Sequence, residues 1–234
     1  MQSSDEWIPL GAGVLFHDPP IVWLVTANHV VNSAKGVGMA PLVTKSNGGI
    51  AVVGIQDYQH NYGYRWHSDV TRDIAITLMP VSAEWRIKAI DESLCIKISE
   101  LVPSMACYTV GCPYGARGFD PQRATPLVLD GIISGLDPES GSIYTSVPTF
   151  PGNSGGPIIV RRDPFNPSGG LTVGAPVLLL AGIMLQVWLV PSPDPSGPSS
   201  IPPLHLGVGI TIEAALNLIR SPSARRDRER VLAK

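Results

Sequence analysis

The chain has 234 residues and a formal net charge of −2; 15% of its residues are charged and 44% are hydrophobic. This composition excludes a disordered protein, and the nearly balanced charge excludes a global electrostatic field directed at nucleic acid or a membrane surface. The 24 glycines and 23 prolines are typical of many short elements joined by tight turns, which favours an all-β barrel or sandwich over a helical bundle.

The first segment of the chain alternates short apolar runs with turn residues. It predicts strands at Gly11–Phe16 and Ile21–Thr26, and the second strand is followed by Ala27-Asn28-His29. His29 is therefore predicted to lie where a buried strand ends and the chain bends. A side chain at such a terminus is held rigidly while one side stays open, which suits a catalytic group. A structural histidine is the alternative interpretation.

The next segment contains two short predicted strands and a longer irregular stretch. Strands are predicted at Leu42–Thr44 and Ile50–Ile55, and residues 56–71 are predicted to form a long loop because they show no clean periodicity. This loop contains His60 and His67. No apolar run flanks either residue, so both rank below the histidine at the strand end as catalytic candidates.

An acidic residue then leads directly into an alternating strand. Asp73 precedes the apolar run Ile74–Leu78. A carboxylate at the mouth of a buried strand is unfavourable unless it has a partner, and an imidazolium is such a partner. Asp69 is a weaker alternative because it lies further from any apolar run.

A single serine among three glycines stands out in the second half of the chain. The stretch is Pro151-Gly152-Asn153-Ser154-Gly155-Gly156-Pro157, and the apolar run Ile158–Val160 follows it. Glycine there indicates a backbone conformation closed to other residues, or a close approach to another atom. Such a turn exposes the serine and lets neighbouring N–H groups converge on a developing negative charge. A glycine-rich hairpin turn without catalytic function is the alternative.

His29, Asp73 and Ser154 together form the set of groups that acyl transfer requires. Serine is a poor nucleophile until a base takes its proton. A buried carboxylate holds that base in the correct tautomer and stabilises the positive charge that forms on it. The set therefore predicts nucleophilic catalysis by Ser154.

Three motifs in this order resemble the trypsin-fold (chymotrypsin-like) serine proteases, and most of all their HtrA/Deg-like branch. They are Thr26-Ala27-Asn28-His29-Val30, Asp73-Ile74-Ala75-Ile76 and Gly152-Asn153-Ser154-Gly155-Gly156-Pro157. Three further segments resemble strands and a turn of the same family. They are Tyr108–Gly115, Asp130–Ser134 and Leu206–Ile210. The resemblance covers residues 11–219, nearly the whole chain.

The resemblance implies an all-β fold of two six-stranded antiparallel β-barrels with a short C-terminal helix and an active site between the barrels. The predicted boundaries are a protease domain at 1–220 with barrel one at 8–98, barrel two at 105–212 and the helix at 213–220, then a basic, disordered tail at 221–234. No PDZ-like segment follows the protease region in this sequence, which sets it apart from the HtrA pattern.

The resemblance also implies a serine endopeptidase whose oxyanion hole consists of the backbone N–H groups of Gly152 and Ser154. Pro151 departs from the usual residue at its position, and two effects stay open: it stiffens a preformed hole, or it holds the loop misplaced. The residues expected to line the substrate pocket are Thr149, Phe150, Leu185, Gln186 and Val187. Since none of them is acidic, we expect an aliphatic rather than a basic residue on the acyl side of the cleaved bond.

Two other functions stay open at this stage: a catalytically silent or latent trypsin-fold module that binds peptides, and an esterase-like acyl hydrolase with the same three residues. The expected partner is a polypeptide substrate, with no cofactor, no metal, no nucleic acid and no transmembrane segment; the oligomeric state is left open. The polar start of the sequence is not a secretory signal, so a full-length chain would be cytoplasmic.

Overall fold

The computed structural model describes residues 10–35, 39–112, 126–164, 174–188 and 206–233. The strands in these ranges are β1 (Val14–Asp18), β2 (Ile21–Ala27), β3 (Leu42–Thr44), β4 (Ile50–Val52), β5 (His67–Asp69), β6 (Ile74–Met79), β7 (Ile90–Asp91), β8 (Ala106–Gly111), β9 (Leu127–Asp137), β10 (Ser142–Thr145), β11 (Pro157–Arg162), β12 (Val177–Trp188) and β13 (Leu206–Thr211). The α-helices are α1 (Asn28–Ser33), α2 (Ile55–Tyr62), α3 (Ile212–Ile219) and α4 (Pro222–Leu232). None of the helices in the described ranges has the length and apolar character needed to cross a bilayer.

The second half of the chain forms a closed barrel of six strands in the order β10-β13-β12-β11-β8-β9. Each neighbouring pair is antiparallel. Alternate residues point inward, and Ile143, Ile158 and Val160 are fully buried in the barrel core. The predicted six-stranded barrel in this half is confirmed. Its strands β10 and β11 hold the two ends of the loop that carries Ser154.

The first half of the chain forms two sheets instead of the predicted first barrel. A five-stranded sheet has the order β5-β6-β2-β1-β7, and β3 and β4 form a separate two-stranded sheet. Closure is not observed because β3 and β4 pair with each other, while β7 contributes two residues, paired in parallel with β1. A cavity of about 380 Å³ is lined by residues of β1 and β3, which belong to different sheets.

The stretch predicted as a loop at residues 56–71 contains helix α2 and strand β5, so this prediction was wrong. Helix α2 ends at Gly63, whose left-handed φ of 69° is typical of a helix C-terminus. Only Ile55 of this helix is buried, so no apolar stripe marks it in the sequence. Strand β5 then pairs antiparallel with β6, the strand that follows Asp73.

One hydrophobic cluster joins the two halves of the molecule. Val25 and Ile76 of the first-half sheet belong to the same buried cluster as Ile183 of the barrel and Ile212 and Ala215 of α3. Helix α3 thus packs where the sheet and the barrel meet, as the predicted C-terminal helix requires. The two halves are therefore joined by packed elements rather than by loops alone.

The basic C-terminal segment, predicted to be a disordered tail, forms helix α4. Its N-cap is Ser221, whose hydroxyl accepts a hydrogen bond from the N–H of Ala224 at 3.3 Å. Asp227 is 4% exposed and lies 3.0 Å from Nε2 of His67, which is itself 8% exposed. Asp227 also binds Arg230 at 2.9 Å. A charge-rich sequence suggests a solvated end, but these side chains find partners on the first-half sheet.

Replacing Asp227 by alanine should lower the free energy of unfolding by about 3 kcal/mol, because it leaves the buried imidazole of His67 and the guanidinium of Arg230 without their common partner. Urea unfolding followed by circular dichroism measures this change. Glu229→Ala, an exposed change in the same helix, is the control. Equal losses in the two variants would contradict the role assigned to Asp227.

Candidate active site

His29 lies in the first turn of helix α1, directly after the buried strand β2. The bend predicted here is thus a helical turn. The backbone N–H of Asn28 donates to the carbonyl oxygen of Asp73 at 2.9 Å, which ties the helix start to the first-half sheet. The side chain of His29 is 44% exposed although Val30 beside it is buried. The imidazole is therefore carried on a rigid element and stays accessible.

Asp73 lies in the turn before β6, and both of its carboxylate oxygens contact His29. Oδ1 accepts the backbone N–H of His29 at 2.8 Å, and Oδ2 is 2.6 Å from Nδ1 of the imidazole. Because an ionised carboxylate only accepts hydrogen bonds, Nδ1 carries the proton and Nε2 is left as an acceptor. Asp73 has a φ of 51°, which is uncommon for a residue other than glycine and is a form of strain found at functional sites.

The alternative residues from the sequence are engaged elsewhere or exposed. The carboxylate of Asp69 accepts hydrogen bonds from Thr71 and Arg72 in its own turn. The hydroxyl of Thr71, followed by Arg72, holds the pKa of Asp69 below its usual value. His67 binds Asp227, and His60 lies exposed on α2. Of the candidate pairs considered, the structure brings together His29 and Asp73.

Backbone hydrogen bonds fix the loop that carries Ser154. The N–H of Asn153 donates to the carbonyl oxygen of Phe150 at 3.0 Å, and Gly152 between them has a φ of 102°. In a type II turn of four residues, the third is often a left-handed glycine, the second is often proline, and the N–H of the fourth donates to the carbonyl oxygen of the first. The turn from Phe150 to Asn153 has these features. Pro151 occupies that second place and presets its φ near the value the turn requires.

The N–H groups of Gly152 and Ser154 have no acceptor within the described residues. The N–H of Gly155 donates to Met184 at 2.7 Å and that of Gly156 donates to Asn153 at 2.9 Å. Gly152 and Ser154 are also the two residues predicted from the sequence to form an oxyanion hole. Unpaired donors beside a hydroxyl can stabilise an oxyanion that forms there.

The hydroxyl of Ser154 donates to the carbonyl oxygen of Leu185 at 2.8 Å. Strand β12 has an irregularity between Met184 and Gln186, which takes Leu185 out of the regular pairing with β13. No hydrogen bond joins His29 to Ser154 in the described part of the chain. The structure therefore pairs His29 with Asp73 and directs the serine hydroxyl to β12.

Contacts at Gly11 and Ala12 nevertheless join the Ser154 loop to the helix of His29. The N–H of Ala12 donates to the carbonyl oxygen of Ser154 at 2.7 Å. A Cβ on Gly11 would stand 2.6 Å from that same oxygen and 2.7 Å from the side chain of Val30. This contact was not predicted from the sequence, although the small residues Gly11-Ala12-Gly13 are its signal. The serine loop and helix α1 thus meet across these small residues.

The residues predicted to line the substrate pocket fall into two segments beside Ser154. They are Thr149, Phe150, Leu185, Gln186 and Val187. Thr149 is buried, and its hydroxyl donates to the carbonyl oxygen of Val147 at 3.1 Å. Leu185 is buried and contacts Ser154 through its carbonyl group, whereas Gln186 is exposed.

The cysteines are poor nucleophiles in this environment. Cys95, Cys107 and Cys112 are free, and burial raises the pKa of each thiol. For Cys95 and Cys107 the pKa rises to about 12. Since the thiolate is the reactive form, the hydroxyl of Ser154 is the better candidate nucleophile. In the described ranges, no group of three or more His, Cys, Asp or Glu side chains is placed to hold a metal ion.

Comparisons with known proteins agree with the fold. The trypsin-like peptidase domain family matches residues 11–163. A solved variant of the HtrA-type protease AlgW with a decapeptide has a TM-score of 0.54 and 21% identity, and the match covers 91% of this chain and 50% of that one. AlgW with a tripeptide has a TM-score of 0.53 and 21% identity, with 90% and 55% covered. The chain thus spans about half the length of these structures. No curated protein matches significantly.

Proposed function

This chain belongs to the trypsin-like peptidase family, and on that premise we propose that it is a serine endopeptidase that hydrolyses peptide bonds through an acyl-enzyme. The observation that carries the proposal is the double contact of Asp73 with His29, which leaves Nε2 of the imidazole free to accept a proton. Membership of this family indicates a peptidase. The groups proposed for the reaction are His29 as the base, Asp73 as the orienting carboxylate and Ser154 as the nucleophile.

In the proposed reaction Ser154 attacks the carbonyl carbon of the substrate while Nε2 of His29 takes its proton. The same proton then passes to the leaving amine, which releases the first product and leaves an ester on Ser154. A water molecule, deprotonated by the same imidazole, hydrolyses that ester. Asp73 keeps the imidazole in position and stabilises its positive charge at each step.

The N–H groups of Gly152 and Ser154 are proposed to hold the oxyanion in both tetrahedral intermediates. From the sequence, Pro151 either stiffens a preformed oxyanion hole or holds the loop misplaced. The turn at Phe150–Asn153 favours the preformed hole. A proline in second place and a left-handed Gly152 preset a turn in which the N–H of Gly152 is unpaired. The loop is thus proposed to be stiffened into a preformed oxyanion hole.

The hydroxyl of Ser154 must leave Leu185 before it can reach His29. Rotation about the bond from Cα to Cβ moves the oxygen without any change in the backbone, and such rotations are fast. We propose that substrate binding along β12 favours this rotation. We also propose that the two open sheets of the first half correspond to the first barrel of the two-barrel fold.

The specificity proposed for this enzyme is for an aliphatic residue on the acyl side of the cleaved bond. The predicted pocket residues include no carboxylate that could pair with a basic side chain. A peptide library cleaved by the protein would report this preference directly.

A second candidate function rests on the position of the serine hydroxyl. Because Ser154 donates to Leu185 and not to His29, the cleft is also compatible with a latent or silent module that binds peptides. This candidate predicts peptide binding without turnover.

A fluorophosphonate probe separates the two functions. We expect labelling of the wild-type chain at Ser154 and complete loss of labelling in Ser154→Ala, because the probe forms a covalent bond only with an activated hydroxyl. Ser134→Ala, a change at an exposed serine of β9, should keep full labelling. Absence of labelling in the wild-type chain, with or without added peptide, would rule out the endopeptidase and favour the silent module.

A further inference from the structure

A cavity of about 320 Å³ opens between helix α2, the end of β4 and Trp85. Three aromatic side chains line it, those of Tyr58, Tyr62 and Trp85, together with the carboxyl group of Asp57. Its volume is at the lower end of the range of small-molecule sites, roughly 300 to 1,000 Å³. No part of the proposed peptidase machinery lines this cavity.

The aromatic walls are held in place by stacking and by the core beneath them. The rings of Tyr58 and Tyr62, one helical turn apart, stack with centroids 5.6 Å apart and an interplanar angle of 22°. Tyr64 stacks on Tyr58 from outside the cavity, with centroids 6.0 Å apart. Tyr58 and Trp85 also pack against one buried cluster, which includes Ile55. The rings are therefore preorganised rather than free to collapse into the cavity.

The carboxylate of Asp57 brings a negative charge to these rings. It lies over Gly54, where a Cβ would stand 2.5 Å from Oδ2. Among the ion pairs of the described residues, none involves Asp57. Arg230 of the C-terminal helix is paired with Gly63 and Asp227 instead. Asp57 thus lines the same cavity as the rings and forms no ion pair within the described residues.

We infer that this cavity binds a quaternary or alkylated ammonium group. The faces of aromatic rings carry negative partial charge and attract a cation, most strongly when the cation is large and weakly hydrated. Asp57 adds a formal negative charge and disfavours anionic ligands. An ammonium group with methyl substituents offers positive charge and apolar surface together. This matches a lining that contains three aromatic residues, one acidic residue and two valines, Val52 and Val53.

The first test compares two ligands of the same shape and different charge by calorimetric or NMR titration of the full chain. Choline should bind about ten-fold or more tightly than 3,3-dimethyl-1-butanol, in which an uncharged carbon replaces the nitrogen. Equal affinity would show a merely apolar pocket and overturn the inference. Failure of choline to bind up to high millimolar concentration would overturn it as well.

Variants then assign the affinity to the named residues. Asp57→Asn should weaken choline binding about five-fold and leave the neutral ligand unaffected, because only the charge is removed. Trp85→Leu should weaken choline binding about ten-fold. Tyr64→Phe is the control, since this ring stacks outside the cavity. Asp57 is exposed, so its variant keeps the test usable even where Trp85→Leu lowers stability. Unchanged binding in both Asp57→Asn and Trp85→Leu would contradict the assignment.

The source of the ammonium group is decided by a further comparison. A short peptide with trimethyl-lysine is titrated beside the same peptide with lysine and beside free choline. Preference for the modified peptide would assign the site to a protein ligand, and preference for choline would assign it to a small molecule. Ser154→Ala should bind each ligand as the wild-type chain does, so failure of the proposed peptidase function leaves this inference standing.

Discussion

Replacing Asp73 by asparagine should lower kcat about 10⁴-fold with little change in the fold. In the structure Oδ2 accepts the proton-bearing Nδ1 of His29, and Oδ1 accepts the backbone N–H of the same residue. An amide has one acceptor oxygen, so it can satisfy only one of these donors. If its NH₂ group faces the ring, Nδ1 becomes the acceptor and the proton moves to Nε2. The imidazole is then in the wrong tautomer to take the proton of Ser154.

The matched control is Asp91→Asn, because His17 and Asp91 form another histidine–aspartate pair at 2.8 Å outside the proposed site, and Asp91 is more exposed than Asp73. Steady-state hydrolysis of a peptide substrate measures kcat and KM for both variants, and circular dichroism checks the fold. We expect Asp91→Asn to keep the wild-type kcat. If Asp73→Asn retained more than a tenth of the wild-type kcat, the proposed role of Asp73 would be wrong.

The second half of the fold follows from the sequence more directly than the first half. Strands β8 to β13 carry alternating or continuous apolar runs and close into one barrel, so local pattern and long-range pairing agree. In the first half, barrel closure depends on which strands β3, β4 and β7 pair with. These strands are only three, three and two residues long, which is too short for an apolar pattern to predict their pairing.

Two helices were missed for a similar reason. Helix α2 buries one side chain, Ile55, and helix α4 is highly charged, so neither shows an apolar stripe. One contact that holds α4 in place joins His67 and Asp227, two residues 160 positions apart. Such a contact is visible only after the chain has folded.

The site shows the same division between local and long-range information. The sequence places His29, Asp73 and Ser154 in short motifs, and in the structure the first two side chains lie within hydrogen-bonding distance of each other. The direction of the serine hydroxyl depends instead on an irregularity in β12 that presents the carbonyl group of Leu185. No residue pattern encodes that irregularity, so the contact was not predicted.

Replacing Gly152 by alanine should lower kcat about 10²- to 10³-fold, the effect of losing one donor of an oxyanion hole. Gly152 has a φ of 102°, a conformation that an alanine adopts only with strain. The turn relieves this strain when the peptide between Pro151 and residue 152 flips, which points its N–H away from the site and its carbonyl oxygen inward. KM should change less than kcat, because the lost interaction forms in the transition state.

Gly48→Ala provides the control that separates strain from catalysis. Gly48 has a φ of 86°, and a Cβ there would meet no atom within 4 Å, so the substitution imposes backbone strain without a steric contact. Both alanine variants should therefore lose stability, whereas only Gly152→Ala should lose kcat. If Gly152→Ala kept the wild-type kcat, the assignment of the N–H of residue 152 to the oxyanion hole would be wrong. Residue 48 lies in the hairpin between β3 and β4, and a Cβ there would contact no residue of the serine loop. An equal loss of kcat in both variants would therefore show that general destabilisation causes the effect.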